Sequence, residues 1–287
     1  MMDKQRWGVG SNQYRKRPVK PAGPDSRAER PPLRHSAENS NEHPTCGITW
    51  DLGPVDLDSI GGDGNVNRSR ARFRSRFPDM IWDAARLEGN NFTLPEVQTL
   101  LDGITVEGKK LEDQKQILAL NAGFNEIDQL VKGGEFRLNK RVSDRIHGLV
   151  AVHEAIESGN FRGEGLVTSG GAVRLSSGGV VDGRTTGEGG VSLREAHDSL
   201  LDYLSTEPDP RIRALVYAAS AIRHQFYFDG NKRTAKLMSS GELLAHGYDA
   251  ISVPYTRLYE QNLALDELFS TDDATGLMVL FADCARE

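Results

Sequence analysis

The chain has 287 residues, enough for one large domain or two small ones. Its hydrophobic fraction of 38% lies below the roughly 45–50% usual for globular domains, as expected if a polar segment dilutes an ordinary core. A net charge of -6 and a pI near 5.7 argue against general nucleic-acid binding, and no apolar run approaches the about 18 residues of a membrane span or makes a signal-peptide core. Cys46 and Cys284 lie far apart without metal-ligand spacing, so a reducing cytoplasm is the simple reading.

Residues 1–44 are rich in Arg, Lys, Pro, Ser and Asn and show almost no apolar periodicity. They are expected to be disordered, because they cannot bury enough surface to offset the entropy of ordering. Residues 45–75 read as an extended lead-in and loop, with Ile48, Trp50, Leu52, Val55, Leu57 and Ile60 as packing groups. The basic run from Arg68 to Arg76 has the composition to begin a helix. From 76 to 287 the pattern is that of one mainly α domain with a small hairpin.

Phe77 to Asn91 reads as a helix, with Ile81, Ala84, Ala85 and Glu88 on one face and Gly89-Asn90 as its stop. Thr93-Leu94-Pro95-Glu96 is a helix start, with Thr93 as cap, proline in the first turn and glutamate three residues on. Leu111 to Lys132 places Ile117, Leu120, Phe124, Ile127 and Val131 on one buried stripe. Asn139 to Glu157 repeats the pattern with Val142, Ile146, Leu149, Val150, Val152 and Ile156. His147 and His153 on it are six apart, off the ligand spacing of three or four, and read as structural or exposed.

Residues 161–190 change character. Val173-Arg174-Leu175 and Val180-Val181-Asp182 flank Ser176-Ser177-Gly178-Gly179, which reads as a β-hairpin. Helices return at Ser192–Leu204 and from about Arg211, and Tyr255–Arg286 reads as one or two more, broken near Ser270–Asp273.

The stretch 224–236, His-Gln-Phe-Tyr-Phe-Asp-Gly-Asn-Lys-Arg-Thr-Ala-Lys, concentrates the chemistry. Asp229-Gly230 breaks one helix, and a second starts at about Asn231 and ends at His246-Gly247. Lys232 and Arg233 fall in its first turn, where the macrodipole disfavours cations. Free amides and two cations together make an anion site, most naturally for phosphate. Arg233 and Lys236 share a face. Asp229 can hold a magnesium ion that bridges phosphates, and His224 can accept a proton from an attacking hydroxyl. The structural alternative is a common Asp-Gly-Asn turn, a solvated helix start and a packed histidine.

The stretch resembles the signature of the Fic/Doc family, His-x-Phe-x-Asp/Glu-Gly-Asn-x-Arg-x-x-Arg, with Asp229, Gly230, Asn231 and Arg233 matching without a gap. The similarity covers roughly Pro78 to Ala285. It implies a helical bundle with a hairpin flap, and transfer of AMP from ATP, with Mg2+, to a Ser, Thr or Tyr hydroxyl of a target protein. The implied roles are His224 as base, Asp229 at magnesium, and Gly230, Asn231, Lys232, Arg233 and Lys236 at the nucleotide. Val173, Arg174 and Leu175 would belong to the flap that docks the target by backbone pairing. Ala84-Ala85-Arg86-Leu87-Glu88-Gly89 resembles the inhibitory motif of many Fic proteins, with Ala84 in place of its Ser or Thr. Glu88 is then expected to pair with Lys236, a cation meant for the γ-phosphate. A homodimer is allowed, no nucleic-acid or membrane partner is expected, and a bacterial-type cytoplasmic location leaves secretion as an effector open. The C-terminal winged-helix domain of some longer relatives is not expected.

Two positions depart from the signature. His224 is five residues before Asp229, where the family has four, so a gapless register puts Gln225 in the base slot and Tyr227 in the phenylalanine slot. Either the loop absorbs the extra residue and His224 and Phe226 reach their places, the reading adopted here, or the site has no base. Lys236 stands where the family has arginine and lacks its two-pronged grip. A Doc-like transfer of the γ-phosphate and a degenerate module that binds nucleotide or a partner are the alternative functions.

Overall fold

The computed structural model describes the backbone of residues 41–43 and residues 46–286. The rest of the segment 1–44 expected to be disordered lies outside the described residues, but its Asn41–His43 form strand β1. This strand pairs antiparallel with β2 (Ile48–Trp50), Asn41 opposite Trp50. Thr49 of β2 is itself bound on the backbone to the far end of the chain, donating to Asp272 O at 2.8 Å and accepting from Ala274 N at 2.8 Å.

The stretch 45–75 is not only an extended lead-in. It contains α1 (Val66–Ser75), capped by the Asn65 side chain on Arg68 N. Its arginines are anchors: Arg70 grips Asp128 with two bonds of 2.9 and 3.0 Å, and Arg72 reaches Asp249. α2 (Phe77–Leu87) carries Pro78 in its first turn and caps at Glu88, with the predicted stop residue Gly89 at a φ of +88°, so its last turn ends a little before the predicted Asn91. α3 (Leu94–Leu101) has the predicted reciprocal cap, Glu96 accepting from Thr93 N at 2.8 Å.

The long helix α4 (Leu111–Lys132) has the predicted bounds and buries the predicted stripe. α5 (Lys140–Val150) does not run to Glu157. The chain turns back over its end instead: Ser158 Oγ donates to His147 O, Gly159 N donates to the His147 ring, and Glu157 takes a left-handed φ of 55°. Val152 and Ile156, placed on the buried stripe by periodicity, are therefore half exposed, at 49% and 52%.

The predicted hairpin is β3 (Val173–Arg174) paired antiparallel with β4 (Val180–Val181). Then follow α6 (Val191–Thr206), α7 (Pro210–His224), α8 (Asn231–Ala245), α9 (Leu258–Thr271) and α10 (Thr275–Asp283). α7 and α8 are the centre of the bundle. Every residue of α7 from Ala214 to His224 is buried, as is nearly all of α8 to Leu244. The signature turn between them is thus held by the core on both sides.

The Arg70–Asp128 pair ties α1 to α4 with the carboxylate only 2% exposed. Removing one partner of such a pair leaves a buried charge uncompensated, at a cost of about 3–5 kcal/mol. Asp128→Ala is expected to lower unfolding stability by about that amount in denaturant titration, whereas the exposed Asp63, paired with Arg68, should contribute little when replaced by Ala.

Candidate functional site

α7 ends where Gln225 takes a left-handed conformation, φ 52°, ψ 59°, and α8 begins after Gly230, φ 74°. A Cβ on Gly230 would meet Ala151 Cβ at 2.7 Å, so both the left-handed angle and the tight approach call for glycine. The loop between is tied by Asn231. Its Oδ1 accepts from Tyr227 N at 2.8 Å, and its Nδ2 donates to Tyr227 O at 2.8 Å and to Gln225 Oε1 at 3.1 Å. The Asn231 side chain therefore shapes the turn and has little left for a ligand. The first helical bond of α8 runs from Thr234 N to Gly230 O, which leaves the amides of residues 231–233 free of helical partners.

These amides open on a cavity of about 340 Å³, within the usual range for ligand sites. Its walls are Glu88 at the end of α2, Val173–Ser176 of the hairpin, Gln225, Asp229–Arg233, and Asn262, Leu265, Asp266 and Phe269 of α9. The hairpin tip is fastened across it: Asp266 accepts from Ser176 N at 2.9 Å, from Ser177 N at 3.2 Å and from the Ser176 hydroxyl.

The predicted residues do not all meet there. Gly230, Asn231, Lys232, Arg233, Asp229, Glu88 and the hairpin residues do; His224 and Lys236 are not in its lining. The His224 Nδ1 lies 2.8 Å from Ser220 O, and its ring stacks on Phe226 at 5.1 Å. Gly47 covers the opposite edge so closely that a Cβ there would sit 2.7 Å from Nε2. Burial pushes the imidazole down to about 4, and Arg184 and Arg223 add to it. His224 is neutral, walled off and part of the packing. Gln225 faces the cavity instead, its Nε2 donating to Ile222 O at 2.7 Å and its Oε1 held by Asn231. Phe226 is buried and stacked on Phe161.

The Glu88 contact is also not the predicted one. Glu88 Oε1 lies 3.2 Å from Lys232 Nζ, so its ion pair is with Lys232 and not with Lys236. Burial alone would raise the Glu88 carboxyl, but Lys232, Arg233 and Lys236 outweigh it and hold it below its ordinary value. Arg233 is engaged by Glu154. Lys236 lies behind them, 8% exposed, and burial brings its amine down to about 8, with Glu88 opposing and Lys232 and Arg233 reinforcing the shift.

Two further residues hold the site: His147, read from the sequence as structural or exposed, is structural, and Arg162 was not singled out. His147 accepts from Gly159 N on Nδ1, so Nε2 carries the proton and donates to Asp229 O at 2.8 Å, while its ring stacks on Tyr227 at 3.8 Å. Its place beside Val142, Ile146 and Val150 on the buried stripe was the available signal. Arg162 donates to the carbonyls of Gln225 (2.7 Å), His224 (3.3 Å), Gly170 (3.0 Å) and Arg184 (2.8 Å), which fastens the hairpin stem to the signature turn. Nothing in its sequence surroundings announces this.

No protein-family model matches the chain. Among curated proteins it is similar to the protein adenylyltransferase Fic of Drosophila willistoni, 25% identical over 269 residues, covering 88% of this chain and 50% of that protein. The Drosophila grimshawi protein of the same name is 25% identical over 78% of this chain and 44% of its own length. The chain thus spans about half the length of the curated relatives it matches. Among solved structures, a Fic domain containing signaling protein from Bacteroides thetaiotaomicron superposes with a TM-score of 0.62 at 19% identity, over 82% of this chain and 88% of that one. Fic-1 of Caenorhabditis elegans gives 0.60 at 18% identity, over 76% and 62%. The fold is the Fic fold.

The buried Lys236 gives the site a pH signature. An anion in the cavity favours the charged amine, so binding above pH 8 must take up a proton that the free protein has lost. Affinity for inorganic tripolyphosphate is expected to fall by up to about tenfold per pH unit above pH 8. Calorimetry in buffers of different ionisation enthalpy should show the proton uptake. Lys236→Arg, charged throughout this range, should flatten the profile.

Proposed function

We propose that this chain, which has the Fic fold and is similar along most of its length to proteins named Fic adenylyltransferases, binds ATP in the cavity beneath the hairpin and transfers AMP from it to a hydroxyl of a protein. The observation that supports this reading is the convergence, in one cavity, of the unbonded α8 amides, Lys232, Arg233 and the Asp229 carboxylate. The triphosphate would lie on the amides, with Arg233 and Lys236 offsetting its charge.

Magnesium fits at Asp229. The side chain is 59% exposed, and its Oδ1 takes the Gly230 amide, which leaves Oδ2 as the oxygen that would hold the ion. Among the described residues no three candidate ligands cluster, so the remaining positions would fall to phosphate oxygens and water, the usual arrangement for this ion. Bound there, it would neutralise phosphate charge.

In the transfer, the hydroxyl oxygen forms a bond to the α-phosphorus, the bond to the bridging oxygen breaks, and diphosphate leaves. The hairpin strand β3 would align the target backbone beside the cavity. The hydroxyl proton would pass to water or to a phosphate oxygen and not to a side-chain base, because Gln225 has no site for it and His224 is covered. General-base catalysis is typically worth about 10²–10⁴-fold, so transfer by this chain is slow. Glu88 restrains it further by holding Lys232.

The Gln225 position also favours a second reading, a module that binds nucleotide without transfer. Labelling with α-labelled ATP separates the two. Glu88→Gly is expected to raise the weak labelling of protein several-fold. Adding Gln225→His, which restores a ring nitrogen facing the cavity, should raise it by a further factor of about 10². Tight ATP binding with no α-label transferred by either variant would leave the binding module. Label delivered from the γ-position instead would mean phosphoryl transfer.

A further inference from the structure

Arg233 is anchored from an unexpected direction. Its side chain is 4% exposed. Nη1 donates to Val150 O at 3.3 Å, Nη2 pairs with the Glu154 carboxylate, and Asp229 is at 3.9 Å. Glu154 reaches it only because α5 stops at Val150. The chain then turns, with Glu154 N and Ala155 N both donating to Ala151 O, and this turn brings Glu154 back over the start of α8.

Glu154 is held in turn by a polarised chain. Its Oε1 accepts from Gln116 Nε2 of α4 at 2.7 Å. Gln116 Oε1 accepts from Asn90 Nδ2 at 2.9 Å. Asn90 is 2% exposed and fixed at its other atoms, donating to Asp113 O at 3.0 Å and accepting from Phe92 N at 3.0 Å. The ionised carboxylate can only accept, so Gln116 must present its NH2 to Glu154 and its oxygen to Asn90. Each amide orientation is set by the next, and the order starts two residues beyond Glu88.

We propose that Glu154 is a positioning residue for Arg233 in the nucleotide site, itself oriented by Gln116 and Asn90. The proposal rests on the reading of this cavity as an ATP site. A guanidinium has five donors, and Glu154 and the Val150 carbonyl take two from the α5 side. That sets the plane of the fork while leaving donors for phosphate. A side chain with this much rotamer freedom otherwise pays to be ordered when the ligand arrives. Glu154 thus acts through Arg233 and touches no reacting atom.

The test is a double-mutant cycle on the full chain, read as the Kd for ATP with magnesium. Gln116→Leu is expected to weaken binding about fivefold, and Arg233→Ala about twentyfold, the span usual for coupled neighbours. In the Arg233→Ala background, Gln116→Leu should then have no further effect, since the group it acts through is gone. A merely structural role for Gln116 would give multiplying effects and overturn the proposal, as would an unchanged Kd in the single variant. Gln116→Glu, which keeps the volume but sets a second carboxylate against Glu154, must repeat the pattern; it guards against a folding defect in the leucine variant, with Tm as control. If ATP binds to none of the proteins, wild type included, the ATP reading itself fails and this inference with it. Intact binding with multiplying effects removes the inference alone.

Discussion

The site depends on how one short loop is pinned. Between the left-handed Gln225 and the left-handed Gly230 the backbone makes no regular pairing, yet its first residues, Gln225 to Tyr227, are buried, where unpaired polar groups cost roughly 1–3 kcal/mol each. Three side chains answer for it. Asn231 closes on both backbone atoms of Tyr227, Arg162 takes the carbonyls of His224 and Gln225, and His147 takes that of Asp229. Because Arg162 also holds Gly170 and Arg184 at the stem of the hairpin, the wall above the cavity and the amides on its floor are set by one guanidinium. Both helices that meet in the loop are buried nearly throughout, so it has no room to relax.

The charges around this loop would oppose folding if left alone. Two cations occupy the first turn of α8, against its macrodipole, and a third basic group, Lys236, is buried one turn on. Carboxylates from other elements compensate: Glu88 from the end of α2 meets Lys232, and Glu154 from the turn after α5 meets Arg233. They differ in kind. Glu88 lies on the cavity wall, where a phosphate group would compete with it. Glu154 is gripped from behind by Gln116 and lies outside the lining, so it can stay in place while a ligand binds. The two acids thus meet the same short run of cations from opposite sides, one on the cavity wall and one behind it.

Much of this was legible in the sequence, and the misses have physical causes. The α4 bounds, the cap of α3, the hairpin and the start of α8 follow from periodicity, capping chemistry and glycine placement, all local in sequence. The end of α5 was missed because Val152 and Ile156 continue the apolar spacing, whereas in the fold the chain turns back and Gly159 N bonds the His147 ring. The partner of Glu88 was missed for a related reason. Spacing along α8 says which cations share a face, but not which of them the incoming end of α2 meets. Arg162 and Gln116 were invisible because their importance consists wholly of partners distant in the chain.

The register of the signature follows from helix geometry. α7 remains helical through His224, so that side chain leans back toward Ser220, four residues earlier, and turns into the wall formed by Gly47. One residue further on, the helical direction rotates by about 100° and the backbone leaves the helix, which carries Gln225 to the cavity side. Bringing His224 to the cavity would require unwinding the last turn of α7, whose residues are buried, and giving up both the stacking on Phe226 and the Arg162 contact to the His224 carbonyl. Asn231 adds a second lock, since its bond to Gln225 Oε1 exists only in this register. The loop therefore does not absorb the extra residue; the packing of α7 decides that an amide, and not an imidazole, looks into the site.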